Sequence, residues 1–269
     1  MPRRTTMIPS AARLMTSLRD IGYDLPSAVA DLVDNSIDAG ATTVAIEVCR
    51  KGERSFIRIA DNGRGMTERV LDEAMRYGSR RPYGDRDLGK FGLGLKTASL
   101  SQCRRLTVAT KTTKAGRIRI RRWDLDEVRT RDAWELERLV PSECARYLVD
   151  PIRDAPGTVV LWEKLDRIVA YSRPEGEHAV RALEAMSQSI AEHLAMIFHR
   201  FLTGDTSDGR KLAILFNGEP LEPWDPFARG EHGTRKLSEQ TLLIEFGGST
   251  YEVPIRPYVL PGQVQFSSL

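Results

Sequence analysis

Two segments near the start of the chain carry apolar residues at helical spacing. The first, residues 8–25, has three such positions, at Leu14, Leu18 and Ile21. The second begins after Pro26, where Ser27 can cap a helix N-terminus, and it ends at Gly40, which favours a left-handed stop. The pattern therefore predicts two successive helices, the second running from Ser27 to about Ala39.

Alternating apolar and polar residues then predict strands. Residues 43–50 and 55–60 flank a polar turn, so they predict a β-hairpin that ends at Asp61. Further strands are predicted at residues 106–112, 117–124, 157–163 and 211–216. Further helices are predicted from Thr67 to about Tyr77, within residues 91–103 after a glycine-rich loop, and at residues 175–202. The charged segment 126–154 gives no clear prediction.

Composition indicates an ordinary globular protein. The 269 residues are 41% hydrophobic and 29% charged, which allows one large or two modest domains. The net charge of +3 does not by itself imply binding to nucleic acid. Cys49, Cys103 and Cys144 are too widely spaced for a metal knuckle and predict reduced thiols. Because we find neither a signal peptide nor a long apolar run, we expect a cytoplasmic protein without a membrane partner.

Three motifs carry the candidate chemistry. They are Asp-Leu-Val-Asp-Asn-Ser-Ile-Asp at residues 31–38, Asp-Asn-Gly-Arg-Gly-Met at residues 61–66, and Gly-Lys-Phe-Gly-Leu-Gly-Leu-Lys-Thr at residues 89–97. Each is weak alone. In this order and with these gaps they resemble the nucleotide site of the GHKL ATPase superfamily, which includes gyrase, heat-shock protein 90, histidine kinases and MutL. The amino-acid sequences of the first and third motifs are most similar to those of the MutL and MORC branch.

The first motif places polar side chains on one helix face. Spacings of three, four and seven residues bring together Asp31, Asp34, Asn35 and Asp38. Three neighbouring carboxylates repel each other unless a cation or hydrogen-bond donors meet them, and Mg²⁺ prefers such oxygen ligands. A solvated acidic face is the alternative interpretation.

The resemblance assigns roles to these residues. It implies that Asn35 is the metal ligand, that Asp38 belongs to the surrounding hydrogen-bond shell, and that Asp31 is the catalytic base. Relatives carry glutamate at the position of Asp31, so the side chain here is shorter by one methylene, about 1.5 Å of reach. We therefore expect slow hydrolysis, with Asp34 as the fallback base.

The second motif is expected to bind adenine. The resemblance implies that Asp61 accepts a hydrogen bond from the adenine amine, which favours ATP over GTP because guanine carries a carbonyl there. Gly63 and Gly65 would let the backbone approach the base, and Met66 would pack on its face. Thr158 matches the hydroxyl that supports this aspartate in relatives. A plain turn is the alternative for the motif.

The third motif is expected to bind phosphate through backbone amides at a helix N-terminus. The candidate residues are Lys90, Phe91, Gly92, Leu93, Gly94, Leu95, Lys96 and Thr97. Lys96 either contacts phosphate or covers the helix surface. Residues 77–88 correspond to the flexible lid of the family, and their arginines Arg80, Arg81 and Arg86 either approach the triphosphate or remain solvated.

The resemblance also implies the architecture and the cellular mode of action. We expect an α/β (α+β) two-layer Bergerat sandwich at residues 1–170, with a mixed, largely antiparallel sheet and helices on one face. Residues 171–269 would begin a second, transducer-like domain. ATP and Mg²⁺ would drive lid closure and formation of a homodimer, as in a MutL-like or MORC-like clamp. Leu14, Leu18 and Ile21 would either strap onto the partner chain or lie in their own core.

One alternative function remains open, and a second is disfavoured. A nucleotide-gated scaffold would bind ATP and dimerise with little turnover, and DNA would be a partner through the basic cluster Lys111–Arg122, whose other interpretation is a solvated sheet face. A protein histidine kinase is disfavoured because all four histidines follow Asp31.

Overall fold

The computed structural model describes residues 7–20, 22–78, 94–168 and 176–262, without the side chains of residues 178 and 179. Contacts between residues divide the chain into two compact units, Met1–Pro223 and Trp224–Leu269. This division lies later in the chain than residue 170, and the predicted boundary of the family's two domains there stays a prediction.

The first unit is built on a mixed sheet. Its strands, in chain order, are β1 (Thr43–Cys49), β2 (Phe56–Asp61), β3 (Arg105–Lys111), β4 (Arg119–Asp124), β5 (Glu137–Leu139), β6 (Gly157–Glu163), β7 (Ala213–Phe216) and β8 (Glu219–Pro220). Their order across the sheet is β5-β4-β3-β6-β2-β1-β7-β8. Neighbours are antiparallel except β1 and β7, which are parallel. The predicted mixed, largely antiparallel Bergerat sheet is confirmed.

The helices of this unit, in chain order, are α1 (Ala11–Arg19), α2 (Leu25–Asp38), α3 (Glu68–Met75), α4 (Gly94–Gln102), α5 (Leu125–Arg131), α6 (Arg146–Val149), α7 (Glu177–Ile197) and α8 (His199–Thr203). Helix α2 contacts both α4 and α7, and α1 contacts α4 and α5. The helix that the sequence predicts at residues 175–202 is divided into two helices, α7 and α8, because Phe198 interrupts the regular turns.

Apolar side chains cover both faces of the sheet. The main core lies between the sheet and the helices and includes Val33, Ile59 and Trp162. A second, smaller core on the other face contains Phe56 and Ile120, packed against Leu148 and Ile152. This cover comes from the segment 126–154, for which the residue pattern predicts no regular structure. Burial on both faces explains why β6 reads Gly-Thr-Val-Val-Leu-Trp-Glu without strict alternation.

The N-terminal helices differ from the sequence pattern in two details. Asp24, not Ser27, caps α2: its carboxylate accepts a hydrogen bond from the amide of Ser27 at 2.9 Å. In α1 the buried residues are Ala11 and Met15, whereas Leu14 is exposed. The buried positions of α1 are therefore shifted along the chain from the apolar positions that the sequence pattern predicts, Leu14 and Leu18. Ile21 lies outside the described residues.

The second unit contains short antiparallel pairs. Strands β10 (Gln240–Phe246) and β11 (Ser249–Ile255) form a hairpin through Gly247 and Gly248, and β9 (Arg235–Lys236) pairs with β12 (Tyr258–Val259). No helix among the described residues of either unit is long and apolar enough to cross a membrane.

Candidate functional site

The polar face of α2 forms one wall of the site. Asp31 and Asp34 are half-buried, and Asn35 and Asp38 are exposed, whereas Leu32 and its apolar neighbours are buried. The predicted common face of these four polar residues is therefore present. Burial raises the pKa of Asp34 to about 6, and the charges of Asp31 and Asp38 add to this effect. A half-buried carboxylate of this kind favours a cation or a proton in its surroundings.

Asp31 lies where the first and third motifs meet. The hydroxyl of Tyr23 donates a hydrogen bond to Asp31 Oδ2. The same Oδ2 atom lies 3.5 Å from the position that a Cβ on Gly94 would occupy. The candidate base is therefore beside the first residue of α4, the helix that begins with the predicted phosphate-binding segment.

Asp61 joins three elements through its carboxylate. Oδ1 accepts hydrogen bonds from the amide of Gly63 at 2.8 Å and from the amide of Thr158 at 3.2 Å. Oδ2 lies 3.3 Å from the hydroxyl of Ser36, which belongs to α2. Burial raises the pKa of Asp61, while these three donors oppose that shift. Asp61 and Thr158 are also direct partners in the β2–β6 register, so the predicted pairing across almost a hundred residues is brought together.

The turn after Asp61 fits closely between α2 and β3. Asn62 fixes its start, since its side-chain oxygen accepts from the amides of Thr42 and Thr43 at 2.9 Å. Gly65 has a φ of +64°, and a Cβ there would lie 2.1 Å from the carbonyl oxygen of Lys111. Only glycine fits this position. Met66 follows, half-buried against the main core.

Gly65→Ala is expected to lower the free energy of unfolding by about 3 kcal/mol, because it combines left-handed backbone strain with a backbone collision. Gly204→Ala is the matched control. Gly204 also has a positive φ, of +80°, but its nearest neighbour is a Lys211 side-chain atom at 3.7 Å. That variant should lose only about 1 kcal/mol, from the strain alone. Urea unfolding measures both, and equal losses would contradict the close approach at Gly65.

Thr110 is a residue of this site that the sequence did not suggest. Its hydroxyl oxygen accepts a hydrogen bond from the amide of Met66 at 2.8 Å and donates to the carbonyl of Gly157 at 3.1 Å. It also lies 3.2 Å from the hydroxyl of Thr158. Thr110 therefore links the turn of the second motif to the start of β6. The available signal was two threonines within the otherwise apolar strand Leu-Thr-Val-Ala-Thr, a pattern that ordinary buried threonines also give.

Thr110→Val is expected to weaken ATP binding about tenfold, because the isosteric side chain cannot accept from the Met66 amide and both walls of the pocket shift. Thr107→Val is the control. Thr107 is equally buried on the same strand, but its hydroxyl accepts from Arg122 at 2.9 Å. Calorimetric titration of ATP into both variants tests this, and an equal affinity for the two would contradict a role of Thr110 in the pocket.

The described part of the third motif is helix α4. Leu95 packs against the main core, and Thr97 has a buried hydroxyl without a hydrogen-bond partner. Lys96 is 1% exposed, and its ammonium group donates to the carbonyl of Ala74 at 2.7 Å. Lys96 therefore does not cover the helix surface, and burial lowers its pKa to about 8. The other predicted phosphate ligands, Lys90, Phe91, Gly92 and Leu93, lie outside the described residues, as do Arg80, Arg81 and Arg86.

The basic cluster at residues 111–122 contains both buried and outward-facing cations. Lys111 is buried and donates to the carbonyl of Arg153. Arg121 is 4% exposed and forms ion pairs with Glu68 at 2.9 Å and Asp72 at 2.5 Å. These two side chains belong to the interior. The remaining outward cations of the predicted cluster are Lys114, Arg117, Arg119 and, more enclosed, Arg122, so the cluster is not one continuous track.

The donor set bears on whether a metal fits. Within residues 7–20, 22–78, 94–168 and 176–262, no group of three or more His, Cys, Asp or Glu residues could hold a metal ion by itself. An ion at α2 would therefore need oxygens from a ligand as well as from Asn35. This is the usual situation for Mg²⁺ bound together with phosphates.

A known protein family matches the part of the chain that contains this site. The sequence model of the histidine kinase-, DNA gyrase B- and HSP90-like ATPases matches residues 23–158, half of the chain. The chain belongs to this ATPase family. The matched range begins at Tyr23 and ends at Thr158, so it contains every candidate site residue. Membership of the family implies ATP binding and ATPase activity in general.

The similar proteins within this ATPase family include several MutL proteins. DNA mismatch repair protein MutL of Pelobacter propionicus is 32% identical over 102 residues, which is 37% of this chain and 17% of that protein. MutL of Shewanella denitrificans is 42% identical over 91 residues, 32% of this chain and 14% of that protein. MutL of Pseudoalteromonas translucida is 40% identical over 91 residues. The matched regions thus span less than a fifth of these relatives, and the MutL-like branch is confirmed.

Proposed function

We propose that this chain binds ATP with its adenine at Asp61 and hydrolyses it slowly. The observation that carries the proposal is the Asp61 carboxylate, which is held by donors from α2, from the following turn and from β6. An ionised carboxylate that is fixed in this way offers its remaining lone pairs to a donor such as the adenine amine. Guanine presents an acceptor there, so ATP is preferred over GTP.

The phosphate end of the proposed site lies toward the start of α4. The helix N-terminus supplies backbone amides and a positive dipole end, and the unpartnered hydroxyl of Thr97 is a further donor in its first turn. Asp31, beside Gly94, is the base that accepts a proton from water as the water oxygen attacks the terminal phosphorus and ADP leaves. Direct contact between Lys96 and phosphate stays a prediction.

A magnesium ion fits the polar face of α2. Asn35 would supply a side-chain oxygen, and Asp38 would hydrogen-bond in the surrounding shell; both side chains are exposed and accessible. The ion would neutralise phosphate charge when it is bound. Asp34, with its raised pKa, is the neighbouring group whose ionisation a bound cation would favour.

We further propose an ATP-dependent homodimer that acts as a clamp, because the relatives are MutL proteins. A nucleotide-gated scaffold with little turnover is the second candidate, and the shorter side chain of Asp31 favours it. Lys114, Arg117 and Arg119 are the cations that could meet DNA phosphates. A cytoplasmic location belongs to the same proposal.

Three measurements on the wild-type protein test these proposals. Calorimetry with ATP and then GTP in the presence of Mg²⁺ should give binding heat for ATP only. Phosphate release under single-turnover conditions should exceed the buffer rate, whereas binding without release would favour the scaffold. Light scattering should report a doubled mass when ATP is added. Absence of binding heat at millimolar ATP would contradict the whole proposal.

A further inference from the structure

Tyr23 has a fixed place at the edge of the proposed site. It lies between α1 and α2, and its carbonyl oxygen accepts a hydrogen bond of 2.7 Å from the side-chain amide of Gln102. Gln102 is buried in the last turn of α4, where Ser101 also contacts its amide at 3.0 Å. The backbone of Tyr23 is therefore anchored to the end of α4.

The other end of α4 also lies beside this pair. Gly94, its first residue, is next to Asp31 Oδ2, the atom that accepts the hydrogen bond of the Tyr23 hydroxyl. Asp31 Oδ1 has no hydrogen-bond partner among the described residues. The two carboxylate oxygens are thus unequal: one is engaged by the phenol, and the other keeps its lone pairs for another donor.

The tyrosine hydroxyl is suited to act as a permanent donor. Burial raises the pKa of Tyr23 to about 12, and the hydrogen bond to Asp31 and the negative charges of Asp31, Asp24 and Asp34 act in the same direction. The phenol therefore keeps its proton at neutral pH and donates to the carboxylate whenever Asp31 is ionised.

We propose that Tyr23 is a positioning residue for Asp31: it holds Oδ2 so that Oδ1 is presented as the basic oxygen to the attacking water. The inference rests on the proposed hydrolysis. An aspartate has less reach than the glutamate of relatives, so its rate depends more strongly on the orientation of its carboxylate. The proton moves from water to Oδ1, and the tyrosine neither gains nor loses one.

Removal of the hydroxyl tests this directly. Tyr23→Phe is expected to lower the single-turnover rate of phosphate release about tenfold, with the dissociation constant for ATP unchanged. Tyr147→Phe is the matched control, since Tyr147 stacks on Phe56 at the second core, on the opposite face of the sheet. It should leave both quantities unchanged.

A double-mutant cycle separates positioning from a general structural effect. In an Asp31→Asn background, Tyr23→Phe should no longer change the rate, because there is no basic oxygen to position. Urea unfolding without nucleotide gives a second measurement, in which the two substitutions should also be non-additive. Full additivity of the two changes would contradict the proposal.

The outcomes distinguish this inference from the proposed function. If the wild type releases no phosphate, the proposed hydrolysis is wrong and the role of Tyr23 falls with it. If the wild type releases phosphate and Tyr23→Phe is equally fast, only the role of Tyr23 is contradicted. A loss of ATP affinity with an unchanged rate would instead make Tyr23 a binding residue.

Discussion

Asp61→Asn is expected to weaken ATP binding by about 100-fold or more, equivalent to about 2.7 kcal/mol. The variant keeps one acceptor oxygen, which can still receive the amides of Gly63 and Thr158. The amide nitrogen of the new asparagine then takes the place of Oδ2, the oxygen near Ser36. This nitrogen is a hydrogen-bond donor, and so is the adenine amine, so the two groups cannot form a hydrogen bond. Calorimetric titration with ATP and Mg²⁺ is the measurement.

The control for this prediction is Asp208→Asn. Asp208 is an exposed carboxylate that bonds to Arg210 in the loop after α8, so its change should leave the affinity for ATP unaltered. Thermal unfolding of both variants without nucleotide shows whether the fold persists. A folded Asp61→Asn protein that binds ATP as tightly as the wild type would contradict the assignment of the adenine pocket.

Asp31→Asn is expected to lower the single-turnover rate of phosphate release about 100-fold or more while ATP affinity changes little, because an amide cannot accept the proton from water. Asp31→Glu should act in the opposite direction. It adds one methylene, the difference from the family's glutamate that the resemblance implies, and phosphate release should then become faster. Quenched single-turnover reactions with excess protein measure both rates.

Two further variants make this prediction decisive. Asp20→Asn removes an exposed carboxylate that pairs with Arg167, and it should have no effect on the rate. Asp34→Asn tests the neighbouring carboxylate on the same helix face. If Asp34→Asn abolishes release while Asp31→Asn preserves it, the base is Asp34 and the assignment of Asp31 is wrong.

The parts of the fold that the sequence predicted are those with a local signal. Strand β6 occupies the predicted residues 157–163, and the helix capped by Thr67 begins at Glu68. The polar face of α2 followed from spacing alone. Each of these patterns depends on the residues' own periodicity or on one cap, and neither needs a distant partner.

The missed features depend on partners far apart in the chain. Thr110 contacts Gly157 because β3 and β6 are neighbours in the sheet, and it contacts Met66 because the turn after β2 approaches the end of β3 at Lys111. Tyr23 is fixed through Gln102, almost eighty residues later. The pairing of Asp61 with Thr158 was predicted only because the family resemblance implies that these two distant residues act together. Physical pattern alone carried no signal for it.

The basic cluster shows a different limit of sequence reasoning. A run of cations is read as a surface, yet Arg121 lies against α3, where Glu68 and Asp72 neutralise its charge. Those acids are about fifty residues earlier. The second core was not predicted either, because it depends on contacts between distant parts of the chain. Residues 126–154 have no periodicity of their own, and they pack on one face of a sheet whose strands lie mostly outside this segment.

The bond between Lys96 and the carbonyl of Ala74 has a consequence for the stretch of chain that leaves α3 at Met75 and returns at Gly94. Its two ends are pinned together by the scaffold on either side. Because the acceptor is a main-chain carbonyl, no substitution of the side chain at residue 74 can remove it. The spacing at which this stretch leaves and re-enters the scaffold therefore depends on Lys96 and not on the side chain of the residue that supplies the acceptor.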